Sequence, residues 1–439
     1  MSLGRRFFRG GIWAFLAQAT VVPFGLISNG LLARMFSPAE LGVYFIAISL
    51  ASTGALIAQF GMATSIVRLV AENLGRPLVA GQAIKIALIV GSTGSVVVAA
   101  SLWAGFGDVL SRVVFESDNL HSVIGLVGVL IIAMTLRNLV AQSLRGFHDI
   151  RMAELTGRVI SSSLFVCAYT YLWIAGGDLD LSTVLSIIIG GTVASLLVGV
   201  VGLVGKIGEW PQEDEPKIGR ILSISKSLWV SSIFLSLLTI GPLWIVGTLG
   251  NDSDVAIYGA CSRLVILVLL PLVIANQVTP PMIVELYGRR DLYQLEKLLR
   301  SIATLAGIPA LIVLCFFIFF SGDILAVIYG DYYMLGGSVL AILSVGFLFN
   351  VACGSCGSVL LMTGGERIMM WITVFSTGFV LVSCFVAFQF FEMLGVAYSV
   401  ASGMILHNLL MLYAAKKTAG VWTCMSPRLR DGLAFLLKS

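Results

Sequence analysis

The sequence predicts an all-α integral membrane protein of about twelve transmembrane helices, arranged as two six-helix bundles. Of the 439 residues, 58% are hydrophobic and only 11% are charged, whereas a soluble domain carries about 25% charged residues. Twelve apolar segments each approach the ~20 residues that a helix needs to cross a bilayer. Features of the first half also return in the second half, which indicates a duplicated membrane unit.

The predicted spans are apolar runs bounded by charged or turn-forming residues, without the short alternating segments of a membrane β-barrel. They lie at 11–33, 41–66, 86–106, 122–144, 155–175, 183–205, 227–249, 256–283, 301–321, 335–361, 368–391 and 393–415. The longest connection carries two Pro and four acids and separates six spans from six spans. The predicted order is an N-terminal bundle (1–205), a cytoplasmic linker (206–226), a C-terminal bundle (227–415) and a cytoplasmic tail (416–439).

The distribution of Lys and Arg predicts the orientation. The side of the membrane with the even-numbered connections and both ends of the chain has 24 of the 27 basic residues, the exceptions being Arg34, Arg112 and Arg263. The positive-inside rule therefore places both termini and the linker in the cytoplasm. The formal net charge of +4 is small and fits contact with an anionic membrane surface rather than with nucleic acid.

The internal repeat indicates how the two halves are related. Glu40 and Tyr44 stand four residues apart before a long apolar helix, and Asp254 and Tyr258 repeat this spacing in the second half. Because each half has six spans, both halves enter the membrane from the same side, which predicts a parallel pseudo-two-fold repeat. Such halves normally enclose a central cavity and give alternating access by rocking.

Acidic residues are absent from every predicted span, whereas basic residues are not. Proton and sodium antiporters usually need a buried carboxylate, so this absence disfavours a cation-coupled drug exporter. The sequence shows no catalytic set, metal-ligand cluster or cofactor motif, and we predict that the protein is not an enzyme. The Cys353–Cys356 pair lies inside a predicted membrane helix, where small residues favour helix packing over redox chemistry.

Arginine supplies the candidate substrate-binding residues. Arg137 lies about two turns from the cytoplasmic end of its span, beside Asn138 and Gln142, while Arg263 lies inside the eighth span and Arg34 ends the first. An Arg at that depth either faces a wet cavity and binds an anion, or extends to the headgroups. The planar guanidinium can hold two phosphate oxygens at once. The cationic cavity thus predicted would suit an anionic, sugar-bearing substrate.

Proline marks candidate hinges in three of the predicted spans. Pro23 and Pro242 occupy equivalent spans of the two halves, and Pro271 interrupts the eighth. Each proline frees a backbone carbonyl and can bend its helix. The alternatives left open by the sequence are bending during a transport cycle and a fixed kink.

The segment from Ala33 to Tyr44 resembles the start of polysaccharide flippases, which export O-antigen and exopolysaccharide repeat units. The elements that carry the resemblance are Ala-Arg before a short loop and then Ser-Pro-x-Glu-x-Gly-x-Tyr. The helix exits around Arg145-Gly146 and Thr363–Arg367 are also similar to that family. The resemblance implies a two-bundle transporter of the multidrug/oligosaccharidyl-lipid/polysaccharide exporter superfamily.

The resemblance further implies a substrate and a location. The substrate would be a polyprenyl-diphosphate-linked oligosaccharide, moved across the bacterial inner membrane while its tail stays among the membrane lipids. Glycosyltransferases and a polysaccharide polymerase are candidate partners, and no cofactor is implied. Two alternatives remain, a multidrug and toxin exporter of the same superfamily and a membrane-embedded glycosyltransferase or polymerase. The second would need larger loops than this chain has.

Overall fold

The computed structural model describes residues 3–72, 77–176, 179–207 and 218–426, and within these ranges helices are joined by short turns. The helices of the first half are α1 (Leu3–Met35), α2 (Pro38–Ala58), α3 (Met62–Glu72), α4 (Pro77–Ser101), α5 (Asp118–Gly146), α6 (Ile150–Glu154), α7 (Ile160–Ala175) and α8 (Leu181–Ile207). Those of the second half are α9 (Ile218–Leu249), α10 (Asp252–Leu264), α11 (Ile266–Gly288), α12 (Leu292–Tyr329), α13 (Gly337–Cys353), α14 (Cys356–Met362) and α15 (Glu366–Ala419).

Four further helical segments are wound differently from an α-helix. Three are π-helical, Leu102–Phe106, Val109–Val114 and Leu155–Val159, and one is a 3₁₀ turn, Asp331–Gly336. The π-segments extend or interrupt helices that the sequence predicts as simple spans. The π-helix at Leu155–Val159 joins α6 to α7 and positions part of the candidate site described below.

The described residues contain eleven helices that are long and apolar enough to cross a membrane. The last of them, the 54-residue α15, leaves helical geometry at Glu392 (φ 49°). Its two arms fold back on each other, as the distance of 3.9 Å between the Cys384 thiol and the Val396 carbonyl oxygen shows. This helix therefore makes two passes, which confirms the predicted all-α membrane fold of about twelve spans.

The helix surfaces carry the apolar side chains that lipid requires. Ile174, Phe319 and Phe390 are each 76% exposed. Large exposed apolar surfaces of this kind are rare on soluble monomers. In a membrane protein they face the hydrocarbon of the lipid tails and stay out of water.

The chain divides into two compact units, Met1–Ile233 with Asn251–Ala256, and Phe234–Gly250 with Ile257–Ser439. In the first unit, apolar side chains of α3, α4 and α5 form a core that includes Ile66, Ile84 and Leu139. In the second unit, a core joins α11, α12, α13, α14 and α15. Residues 208–217 of the predicted linker (206–226) and residues 427–439 of the predicted tail lie outside the described ranges.

A reciprocal cap begins the second membrane helix of each half. At the start of α2, the Ser37 backbone N–H donates to Glu40 Oε2 (2.9 Å) and the Glu40 N–H donates to Ser37 Oγ (3.3 Å). At the start of α10, Asn251 and Asp254 exchange the same two bonds, at 3.2 and 2.9 Å. Each pair satisfies two backbone donors that a helix start leaves without partners. The Glu40 and Asp254 correspondence seen in the sequence is thus a repeated helix cap.

Two predicted spans are broken rather than continuous. The span predicted at 41–66 ends as α2 at Ala58, and the backbone turns through positive φ at Phe60 (45°) and Gly61 (72°) before α3 begins. The span predicted at 335–361 breaks at Gly354 (φ 71°) between α13 and α14. The prediction of continuous helices was wrong at both places, because the glycine at each break adopts a positive φ that a helix does not have.

The segment that follows α15 fills the second break. Val421 and Thr423 are fully buried. The Thr423 hydroxyl donates to the Cys353 carbonyl (2.6 Å), and the Met425 N–H donates to the Ala352 carbonyl (2.9 Å). These donors satisfy carbonyls that the break removes from the α13 hydrogen-bond ladder. Residues 421–426, which belong to the predicted cytoplasmic tail (416–439), are therefore packed within the second unit.

Candidate functional site

The structure places three of the predicted site residues together on α5. Arg137, Asn138 and Gln142 are half-buried in the first unit, within the last three turns of that helix. Side chains of α2 and α7 approach the same stretch of α5.

Arg137 is held against α7. Its Nη1 donates to Ser161 Oγ (3.1 Å), and Ser161 in turn donates to the Arg158 carbonyl (3.0 Å). The Arg137 Nε is buried and has no hydrogen-bond partner among the described residues. A cation within a membrane helix costs roughly 2.5–3.5 kcal/mol. A single neutral hydroxyl compensates little of that cost, so the guanidinium retains capacity for an anion.

Amide side chains continue the polar contacts from α5 to α2. Asn138 Nδ2 donates to Gln59 Oε1 (2.8 Å), and Gln142 Nε2 donates to Asn138 Oδ1 (3.4 Å). Gln59 lies where α2 ends, so this chain of amides braces the break between α2 and α3. The sequence predicted Asn138 and Gln142 as substrate contacts, and in the structure both also bind within the protein.

The second unit has a side-chain bond of the same sequence separation, made by different residues. Ser355 Oγ donates to Asn276 Oδ1 (2.6 Å), and this bond joins residues 79 apart in sequence, as the Asn138–Gln59 bond does. Each bond lies beside a helix break, between α2 and α3 in one unit and between α13 and α14 in the other. The equal separation indicates that the two bonds occupy equivalent positions of the internal repeat.

A buried carboxylate that was not predicted from the sequence pairs with Arg158, whose backbone carbonyl accepts the Ser161 hydroxyl. Glu154 belongs to the helical stretch Ile150–Ala175, which is long and apolar enough to cross a membrane, and its side chain is only 5% exposed. It contacts Arg145 and also Arg158 Nη2, the latter at 3.5 Å. The predicted absence of acids from the spans is therefore wrong, because Asp149 caps the helix and starts the span five residues earlier than predicted.

The spacing of these residues was a signal in the sequence. Glu154 and Arg158 are four apart, the separation at which opposite charges meet on one helix face. The π-helix Leu155–Val159 lies between α6 and α7 and contains Arg158; such bulges are frequent at functional sites. Thr156, in the same π-helix, is held by a bond from Ser195 Oγ of α8 to its carbonyl (2.5 Å).

These contacts define a basic cluster made of Arg137, Arg145, Glu154, Arg158 and Ser161. Arg145 and Arg158 share the Glu154 carboxylate, and Arg137 donates to a neutral hydroxyl, so the cluster retains an excess of positive charge. The side chains of Arg145 and Arg158 are 37% and 47% exposed, and both remain accessible. Such an arrangement can bind an anion through several forked donors.

The remaining predicted site residues lie elsewhere. Arg34 is exposed in the last turn of α1, on the side of the first unit where α5 begins. Arg137 lies near the other end of α5, so the two arginines are far apart. Arg263 is half-buried near the end of α10, in the second unit. The helices α1, α9 and α11 run through Pro23, Pro242 and Pro271 respectively. The hinge role of these prolines stays a prediction.

Replacing Glu154 with Gln is expected to lower the free energy of unfolding by about 2 kcal/mol, because the change leaves two arginines facing each other without their shared carboxylate. The partial exposure of both arginines keeps the loss below that of a fully buried pair. Thermal unfolding of the purified protein in detergent measures it. Glu285→Gln is the matched control, since Glu285 pairs with Arg289 (2.7 Å) in an exposed position, and should change little. Equal losses in both variants would contradict the role given to Glu154.

Comparison with protein families identifies the chain. A family model described as polysaccharide biosynthesis protein matches residues 7–287, which is more than half of the sequence. The chain belongs to this polysaccharide biosynthesis protein family. The family match includes α2 with its cap and the whole basic cluster. No curated protein matches the sequence.

Solved structures show which fold this family member has. An inward-facing multidrug resistance MATE family transporter of the MOP superfamily matches with a TM-score of 0.74 at 14% identity, over 92% of this chain and 98% of that one. A MOP superfamily transporter from Pyrococcus furiosus matches with 0.68 at 16% identity, over 94% and 95% of the two chains. An outward-facing MATE transporter matches with 0.68 at 17% identity, over the same shares. Identities this low establish a common fold alone.

Family and fold together confirm several sequence predictions. This polysaccharide biosynthesis family member has the fold of MOP superfamily transporters and is a multi-pass integral membrane protein. The resemblance to the polysaccharide exporters that was noted at Ala33–Tyr44 is confirmed at the level of the family.

Proposed function

We propose that this protein translocates polyprenyl-diphosphate-linked oligosaccharide repeat units across the bacterial inner membrane, for O-antigen or exopolysaccharide biosynthesis. The family supports a role in making polysaccharide, and the fold supports transport. The basic cluster supports an acidic group on the substrate.

The half-buried Arg137 is the observation that carries the proposal. Its Nε has no hydrogen-bond partner among the described residues, and its one described acceptor is the neutral Ser161 hydroxyl. A diphosphate would supply charged oxygens in the geometry that a guanidinium fork matches. Arg145 and Arg158, which are accessible beside it, would add further donors. Arg263 and Arg34 belong to the same proposal as later contacts along the route.

In the proposed cycle, arginines bind the diphosphate from the cytoplasmic side while the polyprenyl tail stays in the bilayer. Alternating access then releases the sugar head outward. The proline-containing helices α1, α9 and α11 would bend during this change. Glycosyltransferases that build the repeat unit and a polymerase that consumes it are the proposed partners.

The second candidate function is multidrug or toxin export. Two observations favour it, the fold shared with MATE transporters and the buried Glu154 carboxylate, since such exporters usually need a buried acid for ion coupling. Glu154 is already engaged by two arginines, which lowers its capacity to carry a cation. We therefore place export of cationic drugs second.

Reconstitution of the purified protein in proteoliposomes separates the two functions. We expect a fluorescent polyprenyl-diphosphate oligosaccharide to cross from the inner to the outer leaflet. A lectin added outside the liposomes measures this movement, because it binds only the sugar heads that have reached the outer leaflet. A polyprenyl glycoside that lacks the diphosphate is the matched substrate, and it should cross at least tenfold more slowly if charge-assisted bonds of about 1.5–3 kcal/mol bind the phosphates. Efflux of a cationic dye without movement of the lipid would favour the exporter instead.

A further inference from the structure

A cleft of about 510 Å³ lies in the second unit, where α11 ends, α12 begins and α15 ends. We call it the basic cleft. It is lined by Tyr287, Arg290, Leu292, Lys417, Thr418, Ala419 and Gly420. The turn that joins α11 to α12 is one of the connections that the Lys and Arg distribution places on the cytoplasmic side.

Two pairs of consecutive basic residues lie at this cleft, and in each pair the first residue lies near a carboxylate while the second lines the cleft. Arg289 pairs with Glu285 (2.7 Å), and Lys416 lies 3.7 Å from Glu296. The next residues, Arg290 and Lys417, line the basic cleft instead. Within the part of the chain that the structure describes, neither of these two forms an ion pair. The cleft therefore holds two positive charges that the nearby carboxylates do not neutralise.

The acids around the cleft are occupied by other groups. Asp291 Oδ1 accepts the Gln294 backbone N–H (3.0 Å) and caps α12. Glu296 also accepts the Trp422 backbone N–H (3.1 Å) and contacts Arg300 (3.5 Å). Each carboxylate thus already has a partner. A ligand that neutralises Arg290 and Lys417 has to bring its own negative charge.

The surroundings of the cleft are those of a membrane interface. Leu292, in its wall, is 40% exposed, and the neighbouring Tyr293 is 78% exposed. Lys416 Nζ lies 5.4 Å from the centre of the Trp422 ring. Tyr and Trp together with Lys and Arg at span ends are typical of the headgroup level of a bilayer. An exposed leucine beside two cations favours a ligand with both an acidic and an apolar part.

We propose that the basic cleft binds the phosphate of an anionic phospholipid headgroup from the cytoplasmic leaflet. Arg290 and Lys417 bind the phosphate oxygens, the Tyr287 side chain lies beside them, and Leu292 contacts the acyl region. Basic pockets between membrane helices on the cytoplasmic side recognise anionic lipids through this combination of charge and apolar surface. The site is independent of the proposed transport substrate, because it uses none of the residues of the basic cluster.

Binding of short-chain phosphatidylglycerol to the full-length protein in neutral detergent, measured by native mass spectrometry, tests the site. We expect Arg290→Gln and Lys417→Gln each to weaken binding about fivefold, which corresponds to about 1 kcal/mol per charge. Arg289→Gln removes the same charge from the adjacent, ion-paired position and should change binding by less than twofold. Phosphatidylcholine of the same chain length should bind at least fivefold more weakly than phosphatidylglycerol.

Two outcomes would overturn the proposal. One is an equal loss in all three variants, which would mean that general surface charge and not the cleft binds the lipid. The other is displacement of phosphatidylglycerol by an equal concentration of inorganic phosphate, which would make the site one for free phosphate. The unfolding temperature of each variant, measured alongside, confirms that these exposed substitutions leave the fold intact.

Discussion

Replacing Gly354 with Val is expected to lower the free energy of unfolding by about 3 kcal/mol, the largest stability loss that we predict for a single site. The residue has φ 71° and ψ −152°, a backbone region that is essentially restricted to glycine and costs another residue roughly 1–3 kcal/mol. An added Cβ would also lie 2.4 Å from the Thr423 carbonyl oxygen and 2.9 Å from Ala303 Cβ. Overpacking of this kind costs typically 1–3 kcal/mol. Thermal unfolding in detergent measures the total.

Two neighbouring glycines separate the causes of this loss. Gly364 has φ 83° but nothing within 4 Å of an added Cβ, so Gly364→Val should show the backbone strain alone. Gly357 lies in α14 with no positive φ and the same open space, so Gly357→Val should be nearly neutral. The expected order of losses is Gly354, then Gly364, then Gly357. If Gly354→Val were no worse than Gly364→Val, residues 421–426 would not be packed against the break.

Replacing Arg137 with Gln is expected to slow translocation of the lipid-linked oligosaccharide by about ten- to a hundredfold. The reason is the loss of charge-assisted hydrogen bonds to phosphate, each about 1.5–3 kcal/mol. The unfolding temperature should stay the same or rise, because a half-buried charge with one neutral partner adds little to stability. Proteoliposome transport and thermal unfolding, measured on the same preparations, test both expectations.

Two further variants separate substrate binding by Arg137 from a structural role. Arg137→Lys keeps the positive charge but loses the fork, so it should retain an intermediate rate of transport. Ser161→Ala removes the described protein acceptor of Arg137 Nη1 and leaves the guanidinium in place for substrate, so transport should persist. Loss of transport in Ser161→Ala equal to that in Arg137→Gln would show that the Arg137–Ser161 bond supports the bundle and does not report on substrate.

The sequence predicted the membrane fold well and the interior of the spans less well. The length of apolar segments and the position of Lys and Arg are properties of short stretches, and the bilayer acts on them directly. The repeat was visible for the same reason, since the Glu40 and Asp254 caps involve residues only three apart. Arg137, Asn138 and Gln142 share a polar site because consecutive turns of one helix carry them.

The only sequence signal for the breaks between α2 and α3 and between α13 and α14 was a glycine at each position. Gly61 and Gly354 stand inside apolar runs, and an isolated glycine there predicts a break only weakly. What decides the outcome at Gly354 is a partner from far along the chain, since the Thr423–Cys353 bond joins residues 70 apart. Without those donors the freed carbonyls would face an apolar surrounding, and a continuous helix would be favoured.

By itself, the sequence predicted that the chain crosses the membrane about twelve times, which side its loops face, and that arginine enters the spans. The tertiary structure alone decided that Glu154 is buried between Arg145 and Arg158, that residues 421–426 satisfy the broken α13, and that Arg290 and Lys417 share a cleft. The physical reason is the sequence distance over which each property is determined. The length of an apolar segment and the charge of a loop are properties of short stretches of sequence. A buried charge or an unpaired backbone carbonyl is stable only with partners that folding brings from distant parts of the chain.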